Sequence, residues 1–146
     1  MVRWTMLALA FAFAAPLAAA VDIGQVKVAK GAVTIERAGA STPAEIGMRL
    51  QASDVVKTGS DGSVGITMTD NSLLSAGPNS VLALDRYEFD DVTSAGHFDA
   101  SLRKGTLAVV SGRLAKQSGD AMTVRTPSAV LGVRGTEFVV SVDDGG

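Results

Sequence analysis

Residues 61–71 read Asp-Gly-Ser-Val-Gly-Ile-Thr-Met-Thr-Asp-Asn. Val64, Ile66 and Met68 alternate with Gly65, Thr67 and Thr69. Strict alternation puts one set of side chains on the buried face of a sheet. Asp61-Gly62 and Asp70-Asn71 bound the run. Gly takes positive φ at little cost, and Asn and Asp bond back to their own backbone, so both ends read as turns.

The same pattern extends in both directions. Val26 and Val28 alternate with Gln25 and Lys27, Val33 and Ile35 with Thr34 and Glu36, and Met122 and Val124 with Thr123 and Arg125. Less regular β-rich runs occur at Asp54–Thr58, Ser80–Asp85, Thr106–Ser111 and Thr136–Val142. Turn chemistry separates them at Gly77-Pro78-Asn79, Lys104-Gly105 and Ser118-Gly119-Asp120. Turns at such intervals predict an all-β domain of about ten short strands, a solenoid-like β-roll or a sandwich. No amphipathic helix is expected; Ser41–Leu50 is ambiguous, and Pro43 and Gly47 argue against a long helix there. A faint echo starts at Gly31, Gly62, Gly105 and Gly135. It reads either as stacked β-coils with an insertion around Asp85–Ala100, or as the common habit of strands to start after a glycine.

The first twenty residues are of another kind. Arg3 precedes an apolar run from Met6 to Leu17, and Ala18-Ala19-Ala20 follows. This is the layout of a cleaved signal peptide, with Val21 as the new N-terminus. The run is short for a bilayer span, which takes about 20 residues. No second such run follows, so the mature part, residues 21–146, is expected to have no membrane span. Its charges are scattered, 12 basic against 15 acidic for a net −3. Without a basic block, nucleic acid and anionic membrane are poor partners. The absence of cysteine excludes disulfides, thiolate metal sites and a thiol nucleophile.

Thr126-Pro-Ser-Ala-Val-Leu-Gly-Val-Arg-Gly-Thr-Glu-Phe-Val-Val140 carries the strongest motif. It resembles the signature of FecR-like domains, in which Thr-Pro precedes a Gly-x-Arg-Gly-Thr-x-Phe strand. Upstream, Gly31-Ala32-Val33 resembles the opening strand. Ser53–Gly59 resembles a Gly-Asp-x-Ile-x-Thr segment with Ser53 in place of Gly, and Asp70-Asn71-Ser72 an Asp-Gly-Ser turn with Asn71 in place of Gly. Leu102–Val110 resembles a strand pair of the family. The resemblance implies an exported, periplasmic β-module acting in envelope signalling or scaffolding through a protein partner, with no cofactor, metal or enzymatic activity. Some relatives are anti-sigma regulators with a cytoplasmic domain, a membrane helix and a further C-terminal domain. None of these is readable here, so direct control of a sigma factor is not expected. Related domains also continue into one more hairpin, so residues 21–146 are read as a FecR-like domain that either is shortened by its last hairpin or belongs to a longer sequence.

The signature residues Thr126, Pro127, Gly132, Arg134, Gly135, Thr136 and Phe138 are read as mainly structural. Pro127 fixes its own φ and pushes Thr126 towards extended geometry, which ends a strand and turns the chain. Gly132 and Gly135 flank Arg134 with permissive positions, as a bulge or sharp crossing requires. Arg134 either organises carbonyls or grips an acidic partner. Thr136, Phe138 and Val140 share a face, with Phe138 the expected core anchor. An unpaired last strand would leave an edge open to β-augmentation.

Other candidates are weaker. His97, the only histidine, lies near Asp99 and Ser101 and is read as a solvated loop residue. Asp85, Asp90, Asp91 and Asp99 lack the ligand spacing of a calcium loop. The alternative to a protein partner is a peptidoglycan or other cell-wall glycan, which needs an exposed aromatic. Beyond residue 20 the aromatics are Tyr87, Phe89, Phe98 and Phe138, and the alternation of Tyr87 and Phe89 points both to the core. The periplasm is the expected compartment, and full secretion remains open.

Overall fold

The computed structural model describes residues 21–117, 121–133 and 137–143. The expected signal peptide, residues 1–20, lies outside them, as do Arg134, Gly135 and Thr136. Twelve strands and one short helix are described: β1 (Asp22–Lys30), β2 (Val33–Arg37), β3 (Ala40–Pro43), β4 (Arg49–Gln51), β5 (Val55–Thr58), β6 (Ser63–Met68), β7 (Leu73–Ala76), β8 (Val81–Phe89), β9 (Gly96–Val110), α1 (Arg113–Gln117), β10 (Met122–Arg125), β11 (Val130–Gly132) and β12 (Glu137–Val142). The domain is all-β, as its alternation predicts.

The strands form one curled sheet in the order β3-β2-β5-β8-β9-β7-β6-β1-β4, with β10, β11 and β12 reached through β9. All pairings are antiparallel except β9 with β10. β9 is the spine. Its first part pairs with β8 and β10, and its last part, from Gly105 on, pairs with β7 and β12. The two halves of the sheet therefore meet along one strand and enclose one core. Val33, Ile35, Val56, Leu82, Phe98 and Leu102 come from one half, and Val26, Val64, Ile66, Leu74 and Leu107 from the other. Burying side chains of this size contributes about 1.5–3 kcal/mol each.

Gly105 makes the bend in β9 possible. Its φ is +92°, and a Cβ there would stand 2.1 Å from Ser80 Oγ and 2.4 Å from Ser80 Cα. Side-chain-bearing residues strongly disfavour that conformation, and the contact leaves no room for a methyl group. Ser80 Oγ instead accepts a hydrogen bond from the Thr106 N–H at 3.0 Å.

Several expectations are corrected. Within Asp85–Ala100, β8 runs to Phe89 and β9 starts at Gly96, so the segment is a hairpin of two core strands and no insertion. His97 is an exposed strand residue, not a loop residue. The ambiguous 41–50 stretch supplies the end of β3 and the start of β4. The echo does not mark stacked coils in sequence order, because β2 pairs with β3 and β5 while β6 pairs with β1 and β7. α1 is an element that the local sequence pattern does not predict.

Candidate functional site

On one edge of β9, β10 ends level with Ser101 and β12 ends level with Gly105. The two strands thus leave a notch over Leu102–Lys104. The notch opens into a groove of about 1020 Å³, bordered by the 126–129 turn on one side and by Val140–Asp143 on the other. Cross-strand pairing brings Lys57, Val81 and Lys104 into one row along its floor. A register shift in the β8–β9 ladder accompanies the exposed Arg103 beside that row. Leu131 adds an apolar wall. Among the described residues, Lys57, Arg103, Lys104 and Asp143 are the charged side chains lining this partly apolar trough, in a chain whose net charge is −2.

The floor is held firmly. Thr58 Oγ1 donates to the Gly77 carbonyl at 2.6 Å and accepts the Ser80 N–H at 2.9 Å. These bonds fix the neighbours of Lys57 and Val81. Lys57 reaches Glu36 at 2.5 Å on the adjacent strand. At the other end of β5, the wholly buried Asp54 accepts Arg37 Nε at 2.8 Å, Arg37 Nη2 at 2.7 Å and the Gln51 N–H at 2.8 Å. The hydrogen bonds to Asp54 hold the Arg37 pKa above its already high ordinary value, against the opposing effect of desolvation. A bidentate pair of this kind ties β2 to the start of β5.

A second polar cluster is structural. The buried Asp70 carboxylate accepts the Ser72 N–H at 3.0 Å, the Ser72 hydroxyl at 2.8 Å and the Leu114 N–H at 3.2 Å. It thereby anchors the first turn of α1. Tyr87 Oη accepts the Thr69 hydroxyl at 2.8 Å and the Asp70 N–H at 2.9 Å. The Tyr87 ring meets Phe98 edge-on at 5.2 Å between centroids. Burial, the largest influence, pushes the Tyr87 phenol pKa up.

The signature residues divide into three groups. Thr126 and Pro127 line the groove, where the Thr126 N–H donates to the Ala129 carbonyl at 2.8 Å and Thr126 Oγ1 accepts the Ala129 N–H at 3.0 Å. The pair ends β10 and turns the chain. Gly132 ends β11, and Phe138 packs half-buried against the core, where Val140 is the more deeply buried. Arg134, Gly135 and Thr136 lie outside the described residues. The last strand is paired along its length with β9, and its other edge carries no strand among the described residues.

The remaining candidates are not brought together. His97 and Ser101 are four residues apart on one strand, about 13 Å. Ser101 donates instead to Asp85, and Asp99 accepts from Thr123. Asp90 closes its own turn through the Val92 and Thr93 N–H groups, and the Asp91 carbonyl accepts Arg113 Nη2. Among the described residues no three metal-ligating side chains cluster. Tyr87 is buried, and Phe89 lies half-buried under the Arg113 guanidinium, 5.1 Å from the ring centre. Neither offers a free aromatic face to a sugar. Sequence reasoning missed Lys57, Arg103 and Lys104 as a group. The adjacent Arg103-Lys104 pair was a faint signal, but only the β5–β8–β9 pairing brings Lys57 to it.

Residues 54–146 match the family model described as FecR protein. No curated protein and no solved structure matches the chain. The two positions at which the sequence departs from the glycines of that resemblance, Ser53 and Asn71, adopt φ of +73° and +70°. No helix among the described residues is long and apolar enough to cross a membrane. The family is one of envelope signalling and regulation and is not a catalytic one. With a match over more than half its length, the chain belongs to the FecR family.

Proposed function

We propose that this protein is exported, loses residues 1–20, and serves in the periplasm as a non-catalytic module that binds a protein partner at the groove beneath the 126–129 turn. The observation that carries this reading is the groove itself. It is broad, it mixes apolar walls with Lys57, Arg103 and Lys104, and it is bordered by β12, whose outer edge carries no strand among the described residues. Loops and edges positioned by a rigid scaffold are where binding residues concentrate. Family membership supports a regulatory role in the envelope. The layout of residues 1–20 supports export.

Affinity capture from the envelope fraction tests it. The mature N-terminus is expected at Val21, and a captured partner is expected to be lost on Arg103→Glu and retained on His97→Ala. A chain that keeps residues 1–20 and stays in the cytoplasm would contradict the reading. So would a partner that depends on His97 and ignores Arg103.

A further inference from the structure

The two halves of the sheet turn unlike faces outward. On the half built from β5, β8 and the first part of β9, Lys57, Asp85 and Asp99 stand outward between buried neighbours. On β6, β7 and β9 from Thr106 on, every outward side chain is uncharged. We infer that this second face, bounded by β1 and β12, is the contact surface of a two-fold homodimer.

Cross-strand pairing aligns Val28, Gly65, Ser75, Ala108 and Val139 in one row across β1, β6, β7, β9 and β12. The next outward row holds Thr67, Leu73 and Val110. Val139 is 68% exposed, Leu73 44% and Val28 43%. The solvated face of an antiparallel sheet is ordinarily polar, so apolar side chains gathered on it mark an interaction surface. Three features select a second copy as the occupant. The first is charge. A charge near a two-fold axis would meet its own copy, and the centre of this face has none. Its margins carry opposite signs, with Lys30 level with Ser63 on β1 and Glu137 level with Val110 on β12. Turning a second copy about an axis along β7 lays its β12 over β1 and brings acidic and basic margins together. The second is shape. Gly65 and Ser75 leave a hollow of about 190 Å³ beside Val28. The same turn sets Val139 of the second copy over that hollow, and symmetry makes the contact twice. The third is area. Five strands about 4.8 Å apart and six residues of about 3.3 Å rise give a face of about 480 Å². Two such faces bury about 1,000 Å², the lower bound for a specific interface, which points to a reversible dimer.

The test is analytical ultracentrifugation of the purified protein over a range of concentrations. A reversible monomer–dimer equilibrium is expected, with a dissociation constant in the micromolar range. Val139→Lys should weaken it about tenfold or more, because the change puts a charge into an apolar contact. Val139 is exposed, so the fold should tolerate the lysine. An unchanged melting temperature in dilute solution, where both proteins are monomeric, checks this. His97→Ala, on the outward face of the other half, should leave the equilibrium unchanged. The chain has no cysteine, so single cysteines report proximity. Ser75→Cys, nearest the axis, should be joined to its copy by a short bismaleimide, and His97→Cys should not. A monomer up to millimolar concentration would overturn the inference. So would a dimer indifferent to Val139→Lys, or one cross-linked from position 97 and not from position 75. Binding of the monomer to phosphatidylcholine vesicles, lost on Val139→Lys, would overturn it in favour of a lipid surface.

Discussion

Two residues stand in a left-handed conformation where the resemblance described above has glycine. Ser53 and Asn71 sit at φ +73° and +70°, where glycine is comfortable and other residues are strained. Asn tolerates the left-handed region better than Ser does. Ser53→Gly should therefore stabilise the protein by about 1 kcal/mol and Asn71→Gly by less, the gain in native strain being offset in part by the freer unfolded chain. Thermal denaturation reads this as a rise of a few degrees for Ser53→Gly; a fall would show that the serine is favoured there. Tyr87 offers a second test because it is the only tyrosine. Its phenol pKa is raised in the folded state by burial, whereas the unfolded chain ionises near 10. The neutral form is the one the fold favours. Its contribution is complete below about pH 10 and is lost as the pH climbs from there towards the raised folded value. The native protein should show no phenolate absorbance at pH values where the urea-unfolded chain shows it fully. Early ionisation in the native state would place Tyr87 in water.

At the scale of the element, β9 decides the architecture. Its bend at Gly105 turns one strand into the shared member of both halves of the sheet. Gly105→Ala meets Ser80 backbone and hydroxyl and a forbidden φ together, and should cost about 3 kcal/mol or more. Urea unfolding measures this, and a cost under about 0.5 kcal/mol would mean that β9 need not bend there. β9 also shows what local pattern can and cannot say. Phe98, Ala100 and Leu102 do alternate with His97, Asp99 and Ser101, but the surrounding Gly and charged residues make the stretch look like a loop. β6 and β10 were legible because nothing interrupts their alternation. α1 was not, because its five residues are too few to show a helical period, and it is held by Asp70, more than forty residues earlier. The groove was half legible. Thr126 and Pro127 announce their turn by local chemistry. The meeting of Lys57 with Lys104 follows from which strands are neighbours, which no local pattern contains.

At the scale of the molecule, the family match begins at Asp54, yet the folded unit begins earlier. β1 pairs with β6 and β2 with β5, and Ile23, Val26, Val33, Ile35 and Leu50 belong to the common core. The fragment 54–146 should therefore fail to fold cooperatively, exposing two strand edges and an open core. A sharp calorimetric transition from that fragment would show that the first strands are dispensable. The same architecture explains the placement of the groove, where the two half-sheets part company on one edge of β9 and a rigid floor holds cations beside apolar walls. The most direct trial of that assignment is photo-cross-linking in living cells, with a photoreactive amino acid placed in turn at position 103 and position 97. Binding at the groove predicts a discrete envelope-protein adduct from position 103 and none from position 97. Adducts from position 97 alone, or none from position 103 in a correctly exported protein, would contradict it.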